Sequence, residues 1–231
     1  MTERFGQRLV MRNLQEGLEE MATLEREKPA EEAREDSAKR RQILDGARRA
    51  FLSNGFDAAS MNEIARAAGV SKGTLYVYFK SKEELFEAIV ETQCREQGEQ
   101  IFSFERSAPI EDELNRMGRA FSRFVSRPGG VSELRTIIAI SERMPEVGAR
   151  FYMSGPAMGT ESLKTYLEEK VAEGLLEPHD SEVAAAQFID ACVSTTFKPM
   201  LFNHSGPASE ERVAHVVGMA VRAFLAAYRK R

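Results

Sequence analysis

The chain has 231 residues, 42% of them hydrophobic, with 32 basic against 36 acidic side chains and a net charge of −4. That length leaves room for a small domain beside a larger one with its own core. Its two cysteines, Cys94 and Cys192, form no CxxC pair, so no cysteine metal framework is expected; they fit a reducing cytoplasm, and no apolar run is long enough to span a membrane.

Glycine and proline are sparse, apolar residues recur at helical spacing, and no alternating β-branched run with turn signals is present, so the expected class is all-α. Residues 1 to 36 are polar and acidic. Within them Val10, Leu14, Leu18 and Met21 would share one face of an amphipathic helix, opposed by Arg12, Glu16, Glu19 and Glu27. A partner helix is one reading. A frayed, partly disordered extension is the expectation, because Lys28-Pro29 and the acidic run from Glu31 to Asp36 follow. Met11 or Met21 could equally serve as the start.

A helix is expected over residues 37 to 54, with Ile43, Leu44, Ala47 and Phe51 as its buried stripe and Asn54-Gly55 as its exit. The next helix opens on Ser60, whose hydroxyl can accept from the amide three residues on while Glu63 reaches back, a capping box. Ile64, Ala65 and Ala68 make a narrow apolar face, and Gly69 ends it with a left-handed exit. Ser71 then caps a helix of only about two turns, ending at Phe79. Leu75 and Phe79 must anchor so short a helix, which turns Lys72, Gly73, Tyr76 and Val77 outward with Thr74 and Tyr78 on the flanks. Those types suit a duplex: an ammonium, hydroxyls for phosphate oxygens or base edges, a methyl for thymine, and a glycine that permits close approach. Ser81 to Glu84 form a second capping box, placing Lys82 where an anionic backbone would pass.

Charge supports the same stretch. Residues 37 to 82 hold nine basic residues against three acids, a net +6, leaving −10 for the remainder. Lys39, Arg40 and Arg41, just ahead of the first apolar stripe, are therefore read as phosphate contacts. A solvated helix face would look the same in charge alone.

The run RRQILDGARRAFLSNGFDAASMNEIARAAGVSKGTLYVYFKSKEEL, residues 41 to 85, resembles the DNA-binding domain of the TetR family of transcriptional regulators. The likeness lies in the Asn-Gly helix end, the alanine-rich second helix, the G-V-S turn, the T-L-Y-x-Y-F helix and the K-S-K-E-E-L opening of the next. It implies that Ser60, Ser71, Lys72, Gly73, Thr74, Tyr76, Tyr78 and Lys82 occupy DNA-contacting positions. Val77 departs from the larger aromatic that many relatives carry there. The implied organisation is a helix-turn-helix domain over residues 37 to 82, joined to a helical effector-binding and dimerisation domain over residues 83 to 231.

A helix over residues 82 to 104, apolar at both ends and polar between, reads as the link between two cores. Five further helical segments are drawn at residues 111 to 127, 132 to 143, 147 to 173 (with a break at Gly155-Pro156), 181 to 203 and 209 to 229, punctuated by Pro128-Gly129-Gly130, Met144-Pro145, Glu177-Pro178 and Ser205-Gly206-Pro207. The stretch LRTIIAISERMPEVGARFYMSGPAMGTESLKTYLEEKVAEGLL resembles the regulatory half of the AefR-like branch of the same family, which implies an effector cavity. Phe102, Met117, Phe121, Phe124, Ile137, Ile140, Met144, Phe151, Tyr152, Met153, Met158, Phe188 and Phe197 are its candidate lining, and ordinary core is the competing explanation of each. Arg119, Arg135, Glu142, Arg143, Gln187 and Asp190 are candidate polar partners. The last two helices resemble the family's four-helix dimer interface through Val183, Ala184, Gln187, Phe188, Ala191 and Cys192 on one and Val213, Val216, Val217, Ala220, Phe224 and Leu225 on the other.

The expected function is a homodimeric repressor of a palindromic double-stranded DNA operator, released by a small-molecule effector, without cofactor or metal. An activator or architectural DNA-binding protein without an effector is the alternative. An enzyme is disfavoured: His179, His204 and His215 lie in no zinc signature, and no nucleophile elbow or phosphate-binding glycine loop is found.

Overall fold

Ile43, Leu44 and Ala47 recur on one face of α1 (Ala30–Asn54), and against that face α2 (Met61–Ala68) lies close enough that side-chain volume decides the packing. The computed structural model describes residues 30–230, with side chains from Arg34 onward. The proposed amphipathic face of Val10, Leu14, Leu18 and Met21 and the alternative starts at Met11 and Met21 lie outside the described residues. Helix α1 begins at Ala30, seven residues before the Ser37 that the sequence suggested. Between Pro29 and Gly46 the chain holds no breaker and many good helix formers, so the acidic run continues the helix rather than ending it.

Helix α3 (Lys72–Tyr78) follows the turn at Gly69, whose φ of 65° is the left-handed conformation that glycine adopts freely. At seven residues α3 has no independent stability. It is held by Leu75 and Phe79, 0% and 2% exposed, in a cluster with Ile43, Ala47, Ile64 and Leu85. Each such burial contributes about 1.5–3 kcal/mol.

Helix α4 (Lys82–Ile101) closes that cluster with Leu85, Ala88 and Ile89. Its adjacent face carries Phe86, Val90 and Cys94 into a second cluster with Phe56 of the α1–α2 loop, Ile137 and Ile140 of α6 (Gly130–Ser141) and Val147 of α7 (Pro145–Tyr152). Phe51, Phe56 and Phe86 meet there with centroids 5.1 to 5.6 Å apart. The end of α4 enters a third cluster through Ile101, with α5 (Ile110–Val125), α8 (Met158–Ala172), α9 (Ser181–Val193) and α11 (Glu210–Tyr228). The fold is all-α; among the described residues no strand forms, only an isolated antiparallel bridge between Leu176 and Arg229. No described helix is long and apolar enough to cross a membrane.

Beyond the start of α1, three further boundaries differ from the sequence reading. Gly155-Pro156 does not break the helix, because α7 runs through a π turn (Met153–Ala157) into α8, and the wider ladder accommodates the proline ring. Residues 181 to 203 divide, since the backbone turns after Val193 before the short α10 (Phe197–Leu201). Helix α4 stops at Ile101 rather than Phe104. The expected dimer set divides too. Ala184, Phe188, Cys192, Val213, Val216, Val217, Ala220, Phe224 and Leu225 are buried within the chain, where Phe188 and Phe224 meet edge to face at 5.5 Å. The outward face of α9 and α11 instead carries Val183, Gln187, Met219 and Ala223. A 3.6-residue period locates an apolar stripe but not which of two neighbours it serves.

Gly46 sets the α1–α2 distance: a Cβ there would stand 2.3 Å from the Cα of Ala68. Gly46→Ala should therefore lower stability by about 1–3 kcal/mol in urea unfolding, because overpacking against backbone outweighs alanine's helical preference. Unchanged or raised stability would show that α1 and α2 slide apart freely.

Candidate nucleic-acid interface and apolar cavity

The turn from α2 to α3 is built by side chains capping backbone amides. Ser60 Oγ accepts from the Glu63 amide at 3.3 Å and the Ser60 amide donates to Glu63 Oε2 at 2.9 Å. The Ser60 hydroxyl, then its amide, hold the Glu63 carboxyl below the usual carboxylate range. At the next helix Ser71 Oγ accepts from the Thr74 amide at 3.0 Å and shares a 2.8 Å hydrogen bond with the Thr74 hydroxyl. Ser81 accepts from the Glu84 amide at 3.2 Å, but Glu84 reaches the Lys80 amide, 2.7 Å away, so this second box is only half formed.

These caps leave one side of α3 open to solvent. Tyr76 and Val77 are 39% and 75% exposed, and Lys72 lies over the Tyr76 ring at 5.9 Å. Gly73 is informative by what it does not touch. Among the described residues a Cβ there would meet only Ser71 Oγ, at 3.7 Å, so no described neighbour requires glycine. Lys39, Arg40 and Arg41 are exposed on α1: Lys39 donates to Gln42 at 3.1 Å, and the Arg40 guanidinium stands 5.2 Å over the ring of Phe79, the residue that caps α3.

Two expected DNA contacts are engaged within the protein. Lys82 Nζ donates to the carbonyls of Phe56 and Asp57 at 3.0 and 2.9 Å and sits 4.7 Å over the Phe56 ring, closing the α1–α2 loop. The Tyr78 hydroxyl donates to Asp36 Oδ1 at 2.7 Å, and that bond raises the phenol above its ordinary value. Both partners lie more than twenty residues away in sequence. Helix periodicity carries no signal for either.

Where α4, α5, α6, the π turn and α9 converge, they border a cavity of about 460 Å³ that is partly open to solvent. Phe102, Phe121, Phe124, Ile137, Phe151, Tyr152, Met158 and Phe197 line it. Five expected lining residues do not: Met153, in the π turn, is 66% exposed and lies outside the lining. Met117 and Phe188 are buried in the cluster around α5, α9 and α11, and Ile140 and Met144 belong to the joint with Phe86 and Val147. Their positions face neighbouring helices rather than the void. Among the suggested polar groups Asp190 reaches the wall, whereas Arg135 is occupied by the Met200 and Leu201 carbonyls at 2.7 and 2.9 Å. Arg119, Glu142, Arg143 and Gln187 are exposed and take no part in the lining.

The sequence reading missed Arg127 and Glu133, which face the cavity as an ion pair of 2.5 Å across the Pro128-Gly129-Gly130 loop. Charges flanking a loop read as solvated, yet these side chains are only 24% and 13% exposed. Cys94 also lines the cavity; burial pushes its thiol up to about 11, so it is an inert wall atom rather than a nucleophile.

Residues 43–89 match the family described as bacterial regulatory proteins, tetR family, and residues 112–230 match the AefR-like transcriptional repressor C-terminal domain. The chain is 26% identical over 164 residues to YhgD of Bacillus subtilis strain 168, described as an uncharacterized HTH-type transcriptional regulator, covering 69% of this chain and 83% of YhgD. Among solved structures, one described as a TetR-family transcriptional regulator from Mesorhizobium loti superposes with a TM-score of 0.78 at 28% identity, covering 84% of this chain and 98% of that one. The flavonoid-responsive regulator FrrA superposes with a TM-score of 0.70 at 32% identity, covering 84% and 99%.

The Tyr78–Asp36 contact sets a carboxylate beside the surface that α3 exposes. Asp36→Asn should tighten binding to a short labelled duplex about three-fold at fixed low salt, read by fluorescence anisotropy. That is the size of removing one repulsion of ~0.6 kcal/mol at about 7 Å in water. Unchanged or weaker binding would place this edge of α3 away from the phosphates.

Proposed function

Because the chain belongs to the TetR family of transcriptional regulators, with a regulatory half of the AefR-like type, we propose that it is a homodimeric repressor that holds a palindromic operator and releases it when a small molecule fills the cavity. In this reading residues 37 to 82 read DNA, residues 83 to 231 bind effector and partner, and α4 belongs to both. Lys72, Gly73, Thr74, Tyr76 and Val77 approach base edges and phosphates, with Lys39, Arg40 and Arg41 on the flanking backbone. Ser60 and Ser71 secure the two helix starts that set the geometry. Tyr78 and Lys82 act as positioning residues through Asp36 and the α1–α2 loop. The observation that carries the reading is an exposed, glycine-bearing α3 face on a helix too short to stand alone. A protein that needed α3 only as scaffold would have buried it.

One copy of so short a helix reads too few base pairs to be selective, whereas a two-fold pair doubles the readout. The exposed Val183, Gln187, Met219 and Ala223 on α9 and α11 are the surface proposed for that pairing. That the regulator FrrA is described as flavonoid-responsive supports a small-molecule effector for a cavity of this kind. Release then requires only that the occupant favour the conformation whose recognition helices are wrongly spaced for successive grooves.

Selection by the purified full-length chain from a randomised duplex library tests the DNA half. A two-fold symmetric site is expected, with half-site centres about 10 base pairs or a multiple apart. Lys72→Ala and Tyr76→Ala should each weaken binding to it by at least about ten-fold, the order of 1–3 kcal/mol per lost contact. An asymmetric enriched site, or variants that bind as the parent does, would contradict the proposal.

A further inference from the structure

The polar groups on the cavity wall restrict what can enter it. Of the described residues that line it, Arg127 alone carries a positive charge. That charge is already matched: Nη2 donates to Glu133 Oε2 at 2.5 Å and to Gln93 at 2.8 Å, Nη1 donates to the Phe124 carbonyl at 2.9 Å, and the guanidinium stands 4.2 Å over the Phe124 ring. A carboxylate brought to the Arg127 side of the wall would give up part of its hydration and find the cation already matched, which is unfavourable. An ammonium fares little better. Glu133 is neutralised by Arg127, and Asp190 is an exposed residue that keeps its water.

Glu133 nonetheless offers one group to a ligand. Its Oε2 takes the Arg127 bond, while Oε1 accepts no hydrogen bond from any described residue, although the side chain is only 13% exposed. A charged acceptor in this position favours a neutral donor. The cavity that Glu133 borders is also lined by the aromatic side chains of Phe102, Phe121, Phe124, Phe151, Tyr152 and Phe197.

We propose that the cavity takes an uncharged aromatic molecule whose hydroxyl donates to the Glu133 carboxylate, and that it rejects carboxylates; this rests on the cavity being the effector site. The same residue gives the occupant a route to the DNA-reading part. Glu133 also lines the crevice formed with Arg48, Phe51 and Leu52 of α1, and a Cβ on neighbouring Gly129 would lie 3.1 Å from Leu52 Cδ2. A new hydrogen bond on Glu133 therefore acts at the start of α6, where α6 meets α1.

Four matched probes test the chemistry by calorimetry on the full-length protein near pH 7: 4-hydroxybiphenyl, 4-methoxybiphenyl, biphenyl-4-carboxylate and biphenyl-4-methylamine. The hydroxyl probe should bind at least about ten-fold more tightly than the other three, as expected for a hydrogen bond to a charged acceptor. In Glu133→Gln its advantage over the methoxy probe should fall below about three-fold, since the neutral amide is the weaker acceptor. Ala186→Trp, which fills the cavity, should abolish binding of the set.

Tighter binding of the carboxylate or amine would overturn the proposal, as would a hydroxyl preference that survives Glu133→Gln. The ranking in the unsubstituted protein decides this even if a variant fails to fold. Probes that lose binding in Ala186→Trp but show no hydroxyl preference would refute the ligand chemistry alone. Probes that bind Ala186→Trp unchanged, or that never bind, would refute the cavity reading with it.

Discussion

Helix α4 has to satisfy two cores with adjacent faces, and the rest of the molecule is arranged around that constraint. Leu85, Ala88 and Ile89 complete the packing of α1, α2 and α3, while Phe86, Val90 and Cys94 face α6 and α7. Interiors packed to crystal-like density are bistable rather than continuously deformable. A displacement of α6 or α7 is therefore felt by the Phe51–Phe56–Phe86 group, and through it by the helix that carries Leu75 and Phe79. The Arg150–Glu87 ion pair between α7 and α4 adds a second tie across the same joint. Being 59% exposed at the arginine, it contributes less than the buried aromatics.

The two glycines that matter most illustrate how a sequence divides its commitments. Gly46 is required from inside, because the backbone of α2 occupies the space a side chain would need. Gly73, on the exposed side of a seven-residue helix, is not required by any described neighbour, since a Cβ there would reach only Ser71 Oγ at 3.7 Å. The same logic separates Lys72, which faces solvent, from Lys82, whose amine is held by two carbonyls.

What could be read from the sequence was local. The caps at Ser60 and Ser71, the turn at Gly69 and the anchoring of Leu75 and Phe79 follow from residues within four positions of one another, and the structure forms each. What could not be read was non-local. Asp36 meets Tyr78 across 42 residues, so a tyrosine that helix geometry aims at phosphate is turned to a carboxylate. Phe121 and Met117 lie four apart on α5, yet one faces the void and the other is 0% exposed in the core, a difference that neighbouring helices decide. Arg127 and Glu133 look like solvated loop flanks until the fold buries them together. Helix α1 starts at Ala30 because an uninterrupted run of helix formers outweighs the acidity of residues 31 to 36.

The claim most exposed to experiment is that the two faces of α4 bind the DNA-reading helices and the cavity wall into one cooperative unit. Native-state hydrogen exchange of Val147→Ala measures this directly, because Val147 sits on α7 at 2% exposure and has no place in the core of α1 to α3. Cooperative coupling predicts that amides of α1, α2 and α3 lose protection together with those of α6 and α7. Loss confined to α6 and α7, with α1 to α3 exchanging as in the parent chain, would contradict it.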